Sequence, residues 1–167
     1  MESSPEVAAR RAALEHDAPM APRGLWTRAK LSGRDVVFLC GTLGAEFDAW
    51  QRRLAATSAA DAYLAQLIGL DAVERLMDDL EKEAKVKVEG EGVDVRLLPR
   101  RSPGYGDLPL ELSRTILDAL DATKRLGVSL TDANLLVPSK SVTAICRTSP
   151  ATPLPTACEL PTDGTKW

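Results

Sequence analysis

Asp35-Val-Val-Phe-Leu-Cys40, closed by Gly41, is the stretch on which the fold turns. Its six residues are mostly β-branched or apolar and end at a breaker, the pattern of a buried strand of six or seven residues. Immediately downstream the period changes from two to between three and four. Residues 45–54 read as helix, and Thr57-Ser58 then offers a cap, with Ser58 and Asp61 at the spacing of an N-cap and its N3 acid. Behind that cap Ala65, Ile68, Gly69, Ala72, Val73, Leu76, Met77 and Leu80 recur at three and four residues, so a long helix turns one stripe to a core while Arg75, Asp79 and Lys82 face water.

Further along, Gly90 and Gly92 interrupt the charged run from Glu81 to Glu91, and residues 93–98 alternate before Pro99 stops them, which predicts a second strand. Pro109 suits the first turn of another helix, where its missing N–H costs nothing. Leu112, Ile116, Leu117 and Leu120 give that helix an apolar face, and Gly127 ends it. Residues 128–130 and 134–137, a turn at 138–140 and a strand at 141–146 complete the pattern. The order β, α, α, β, α, β, β lacks the regular alternation of a doubly wound parallel sheet. It predicts an α+β domain: a mainly antiparallel twisted β-sheet with flanking helices, including one long helix.

Pro19 and Pro22 set off a weakly ordered N-terminal arm, 1–24, with a short helix at 5–15. The folded domain is expected over 25–147, and four prolines among scattered polar residues predict an irregular tail over 148–167. The 167 residues are 44% hydrophobic and 27% charged with a net charge of -3, a composition for one globular domain. Acids outnumber bases and aromatics are only 4%, which argues against a nucleic-acid partner. No apolar run approaches the roughly 18 residues of a membrane span, so no membrane partner and a cytoplasmic location are expected. Cys40, Cys146 and Cys158 lack paired metal or redox spacing. The first two read as buried small hydrophobes, and the only histidine, His16, as a solvated side chain of the arm.

Pro99-Arg-Arg-Ser-Pro-Gly-Tyr-Gly-Asp-Leu-Pro109 is the densest turn segment, with two arginines, an aromatic and an acid. Its glycines let backbone amides approach a ligand, an arginine can pair with a carboxylate, and Tyr105 offers a flat face and a hydroxyl. On those grounds alone it is more often a plain surface turn. Gly104 and Gly106 do not make a dinucleotide fingerprint, because no third glycine follows at the required offset.

The same segment, taken as Arg100-Arg-Ser-Pro-Gly-Tyr-Gly-Asp-Leu-Pro-Leu-Glu-Leu112 and followed by Ile116-Leu-Asp-Ala-Leu120, Leu126-Gly-Val-Ser-Leu-Thr131 and Pro138-Ser-Lys-Ser-Val-Thr-Ala-Ile145, resembles the activation domain of cobalamin-dependent methionine synthase, in its short stand-alone versions. The resemblance covers about residues 25–147, and 100–145 is its specific part. It implies an S-adenosylmethionine site at Arg100, Ser102, Gly104 and Tyr105, with Arg100 on the methionine carboxylate. By alignment of the long helix it places Glu74 at the ammonium group, with Asp78 one turn away as the rival.

The resemblance further implies a reactivation component. Such a component presents S-adenosylmethionine to cobalamin carried by a corrinoid-binding partner or a methionine synthase core, with electrons from an external donor such as a flavodoxin-like protein. It implies no metal ligand and no acid-base residue in this chain. The larger enzymes continue with more sheet and helix, including another aromatic near the ligand, where this chain runs into its Pro-rich segment. That departure motivates an alternative: a non-catalytic binding or scaffold module for a corrinoid methyltransferase.

Overall fold

The computed structural model describes residues 4–91 and 94–150. In chain order the elements are α1 (Pro5–Asp17), β1 (Arg23–Leu31), β2 (Arg34–Thr42), α2 (Ala45–Thr57), α3 (Ala59–Gly90), β3 (Val95–Leu97), α4 (Leu112–Leu120), α5 (Ala122–Leu126), β4 (Ser129–Leu130), β5 (Leu136–Val137) and β6 (Ser141–Pro150). The class is α+β. One antiparallel sheet has the order β1-β2-β6-β3, and β4 and β5 form a small antiparallel pair.

The stretch at 35–40 forms the heart of β2, which pairs with β1 on one side and β6 on the other. Strand alternation sends Val36, Phe38 and Cys40 to one face, where Leu112, Ile116, Leu117 and Leu120 of α4 cover them. Val37 and Leu39 point the other way, onto Met77, Leu80, Ala84 and Val88 of α3. Burial on both faces is why this strand shows as a continuous apolar run. A third cluster, built on Phe47, Trp50, Ile68 and Val73, joins α1, α2 and the first half of α3.

Two cross-strand partners, Gly24 and Gly41, set how closely α3 lies on the sheet. A Cβ on Gly24 would come within 2.3 Å of Leu80 Cδ1, and one on Gly41 within 2.8 Å of Met77 Sδ. The helix therefore rests on bare backbone at that point.

Strand β1 is the main element that the sequence reading missed. It is an edge strand whose inward residues Leu25, Ala29 and Leu31 are only half buried, and Thr27, Arg28 and Lys30 dilute its alternation. It joins β2 through a two-residue turn in which Ser32 and Gly33 both have positive φ, 51° and 77°. The N-terminal segment is also more engaged than an arm. Ser4 caps α1, Leu14 is 5% exposed in the third cluster, and Arg10 and Arg11 pair with Asp61 and Asp71 of α3.

The expected cap on α3 is present: the Ser58 Oγ accepts from the Asp61 N–H at 3.1 Å. The helix runs on to Gly90 because Ala84 and Val88 extend its buried stripe through the charged run. Correspondingly the second strand is shorter than 93–98. It spans 95–97, with residue 93 outside the described residues. The helix expected from Pro109 to Gly127 is two helices, separated by Asp121 in a left-handed conformation (φ 49°), and Pro109 sits in the turn before them. Strand β6 continues to Pro150, since Thr148, Ser149 and Pro150 pair with β3. The remainder of the expected tail, 151–167, lies outside the described residues. No described helix is long and apolar enough to cross a membrane.

Candidate functional site

After β3 the chain turns along the far edge of β6. Leu98 N–H donates to the Arg147 carbonyl at 2.9 Å, and Arg101 and Ile145 exchange both backbone hydrogen bonds at 2.9 Å. This holds Arg100 over α3, where Glu74, Asp78 and Glu81 follow one another at four and three residues on a single helix face. The Arg100 guanidinium donates to Glu74 Oε2 at 2.6 Å, to Asp78 Oδ1 at 2.6 Å and to Glu81 Oε2 at 2.9 Å, while its backbone N–H donates to Glu81 Oε1 at 3.2 Å. Its side chain is 18% exposed. Burial works against the charge, but the hydrogen bonds to Asp78, Glu81 and Glu74 outweigh it and raise the pKa above the ordinary arginine value. Three carboxylates around one cation leave the cluster with two negative charges in excess.

Beyond Arg100 the chain folds into a compact loop. Gly104 (φ 87°) donates to the Leu108 carbonyl at 2.9 Å, Tyr105 N–H reaches the Ser102 carbonyl at 3.3 Å, and Arg101 pairs with Asp107. The Arg101 hydrogen bond holds the Asp107 carboxyl below its ordinary pKa. Glu74, Arg100, Ser102 and Tyr105 line one cleft of about 410 Å³. Gly104 does not line it, because its amide is spent inside the loop. Tyr105 is 75% exposed, so its ring stands at the mouth.

Glu74, Ser102 and Tyr105 also border an adjoining groove of about 550 Å³ that runs between α3 and the start of β6. Its far wall holds polar residues that the sequence reading took for a turn and a strand. Lys140 is 6% exposed, with its Nζ 2.7 Å from Gln66 Oε1. Ser113 and Thr143 share a hydroxyl hydrogen bond of 3.0 Å, and Ser139 donates through N–H and Oγ to Asp48. Because Ile145 uses its backbone groups on the far edge of β6, strand alternation directs those of Ser141 and Thr143 to that same edge, toward the groove. The one signal for this wall was the Pro138-Ser-Lys-Ser run, in which a lysine is flanked by small residues.

A separate cavity of about 430 Å³ lies across Arg101, over the uncovered end of the sheet at Leu31, Val36, Leu108 and Ile145. None of Glu74, Arg100, Ser102 and Tyr105 reaches it, so the polar constellation belongs to the cleft and groove on the α3 side.

No family model and no curated protein matches the chain by sequence. Among solved structures, the crystal structure of the MetH reactivation domain bound to AdoHcy superposes with a TM-score of 0.68 at 16% identity, covering 89% of this chain and 65% of that one. The chain thus spans under two thirds of its structural neighbour, and what the two share is the fold: this protein has the fold of the MetH reactivation domain.

Proposed function

We propose that this protein binds S-adenosylmethionine and serves as a reactivation component, supporting reductive methylation of cobalamin held by a corrinoid-binding partner or a methionine synthase core. What supports the reading above all is the Arg100–Glu74 ion pair at the cleft beside Tyr105, on a fold whose neighbour was crystallised with AdoHcy. A zwitterionic amino-acid end is the natural wedge for such a pair. Its carboxylate takes over the Arg100 Nη2 donor and its ammonium takes Glu74, which is 60% exposed and free to swing. Asp78 and Glu81 stay in place and keep the guanidinium aimed at the cleft.

The bound sulfonium supplies a methyl group on a good leaving group, with cobalt as the nucleophile and an external donor, such as a flavodoxin-like protein, as the electron source. This chain's share is orientation and exclusion of water rather than proton transfer. Ser102 and the backbone around Tyr105 line the path, the Tyr105 ring closes the mouth, and the free edge of β6 at Ser141 and Thr143 offers donors and acceptors along the groove. Gly104 acts by shaping the loop.

The test is methylcobalamin formation from cob(II)alamin under a chemical reductant, with S-adenosylmethionine and a corrinoid protein supplied. Product that depends on this chain is the expected result, and no dependence would overturn the reading. A scaffold module without methyl transfer is the second reading, favoured by one observation: the Arg100 guanidinium is already hydrogen-bonded to Glu74, Asp78 and Glu81. Binding of the corrinoid protein with no methyl transfer would select it.

A further inference from the structure

The far end of the groove holds a lysine where a folded domain seldom keeps one. Lys140 lies in the turn that enters β6, 6% exposed, and donates one hydrogen bond, 2.7 Å to Gln66 Oε1. It forms no ion pair within 4 Å among the described residues. The nearest influential carboxylate, Asp48, is engaged by the N–H and Oγ of Ser139 at 2.7 and 2.8 Å. Burial lowers the Lys140 pKa, as expected for an ammonium short of acceptors.

The surroundings are built for this side chain. Its stem passes α3 at Gly69, where a Cβ would lie 2.8 Å from Lys140 Cε and 2.7 Å from Phe47 Cε1. Gln66 is fixed as well: its Oε1 also accepts from Gln51 Nε2 at 2.6 Å, which leaves the Gln66 amide NH2 without a partner among the described residues. This end of the groove therefore holds unused donors, two N–H bonds of Lys140 and the NH2 of Gln66. Gln66 and Glu74 are eight residues apart on α3, about 12 Å along its axis. That separation is comparable to the span from the α-carbon to the purine in an extended S-adenosylmethionine.

We infer that Lys140, with Gln66, determines specificity by reading hydrogen-bond acceptors on the nucleoside half of the ligand, the purine ring nitrogens and ribose oxygens. The inference rests on the proposed binding of the amino-acid half at Arg100 and Glu74. An acceptor delivered here satisfies a buried cation, so recognition and relief of the desolvation cost coincide. Ligands that put apolar or donor groups in this position would leave the ammonium unmet and be rejected.

Calorimetric titration of the whole chain and its Lys140→Met variant with S-adenosylmethionine, and with 5′-methylthioadenosine, which lacks the amino-acid end, tests this. Methionine keeps the length of the stem and removes the donors. Both ligands should weaken about tenfold or more in Lys140→Met, and both should weaken by a smaller factor in Gln66→Met, a second variant that leaves the lysine in place. Unchanged affinity for both ligands in both variants overturns the inference while leaving the proposed function standing. Loss for S-adenosylmethionine alone also overturns it, by placing Lys140 at the carboxylate. Wild-type protein that binds neither ligand refutes the proposed function and this inference together.

Discussion

Glu74 and Arg100 meet at 2.6 Å across the gap between α3 and the loop that carries Tyr105, and both line the same cleft. The two residues differ in how they are held. Arg100 has two further carboxylates and is mostly buried, whereas Glu74 is 60% exposed and has no other hydrogen bond among the described residues. One is fixed and the other can move.

That asymmetry separates stability from binding. Arg100→Ala strands Glu74, Asp78 and Glu81 against one another and should cost about 1–3 kcal/mol in urea unfolding. Glu74→Gln gives up one exposed pair, worth at most about 1 kcal/mol. If the ammonium of the ligand docks on Glu74, this second variant should fold like wild type and still bind S-adenosylmethionine at least about tenfold more weakly. Equal binding by Glu74→Gln would reassign the ammonium partner, with Asp78 next in line.

The buried Lys140 predicts a pH-dependent stability difference. Its folded pKa is lowered from the ordinary 10.5, so below that folded value both states are protonated and the full burial cost is present. As pH rises through the folded pKa toward 10.5, the unfolded chain binds the extra proton and wild-type stability gains. Lys140→Met, which lacks the buried charge, should be more stable than wild type near neutral pH, and the gap should narrow toward pH about 10. Urea midpoints at both pH values check this, and a gap that widens with pH would contradict it.

Cys40 and Cys146 lie on opposite faces of the sheet, free and buried, with their thiols pushed up to about 12 chiefly by desolvation. With Cys158 replaced by serine, the native chain should not react with a thiol reagent at mildly alkaline pH, and both thiols should titrate after denaturation. Rapid native labelling would mean that the sheet opens.

Gly69→Ala tests the passage of the lysine past α3. Helix propensity favours alanine by about 1 kcal/mol, but the new methyl must displace the fully buried Phe47 ring or the Lys140 stem. A net loss of about 1–3 kcal/mol is expected from thermal or urea unfolding. A stabilised variant would show that the groove wall is looser than its geometry.

Where burial is complete, the sequence carried the fold openly. β2 reads as an unbroken apolar run because α3 and α4 cover both its faces, and the Ser58 cap fixes the start of the long helix. Half-buried elements hid. β1 lies at an edge, Leu14 is the only fully buried anchor of α1, and Ala84 and Val88 were masked by the charges between them. At the site, spacing alone could place Glu74, Asp78 and Glu81 on one helix face, but not their convergence on Arg100, which depends on how the loop crosses α3. Lys140 was equally illegible, because its burial is imposed by Gly69 and Gln66, more than seventy residues earlier.

The most direct measurement is calorimetric titration of the purified wild-type chain with S-adenosylmethionine. The expected result is one saturable site per chain, whose affinity drops in Glu74→Gln while that variant unfolds at the wild-type urea midpoint. A folded wild-type protein that releases no heat and stays unsaturated at millimolar ligand would contradict the central claim, that the Arg100–Glu74 cleft is a binding site.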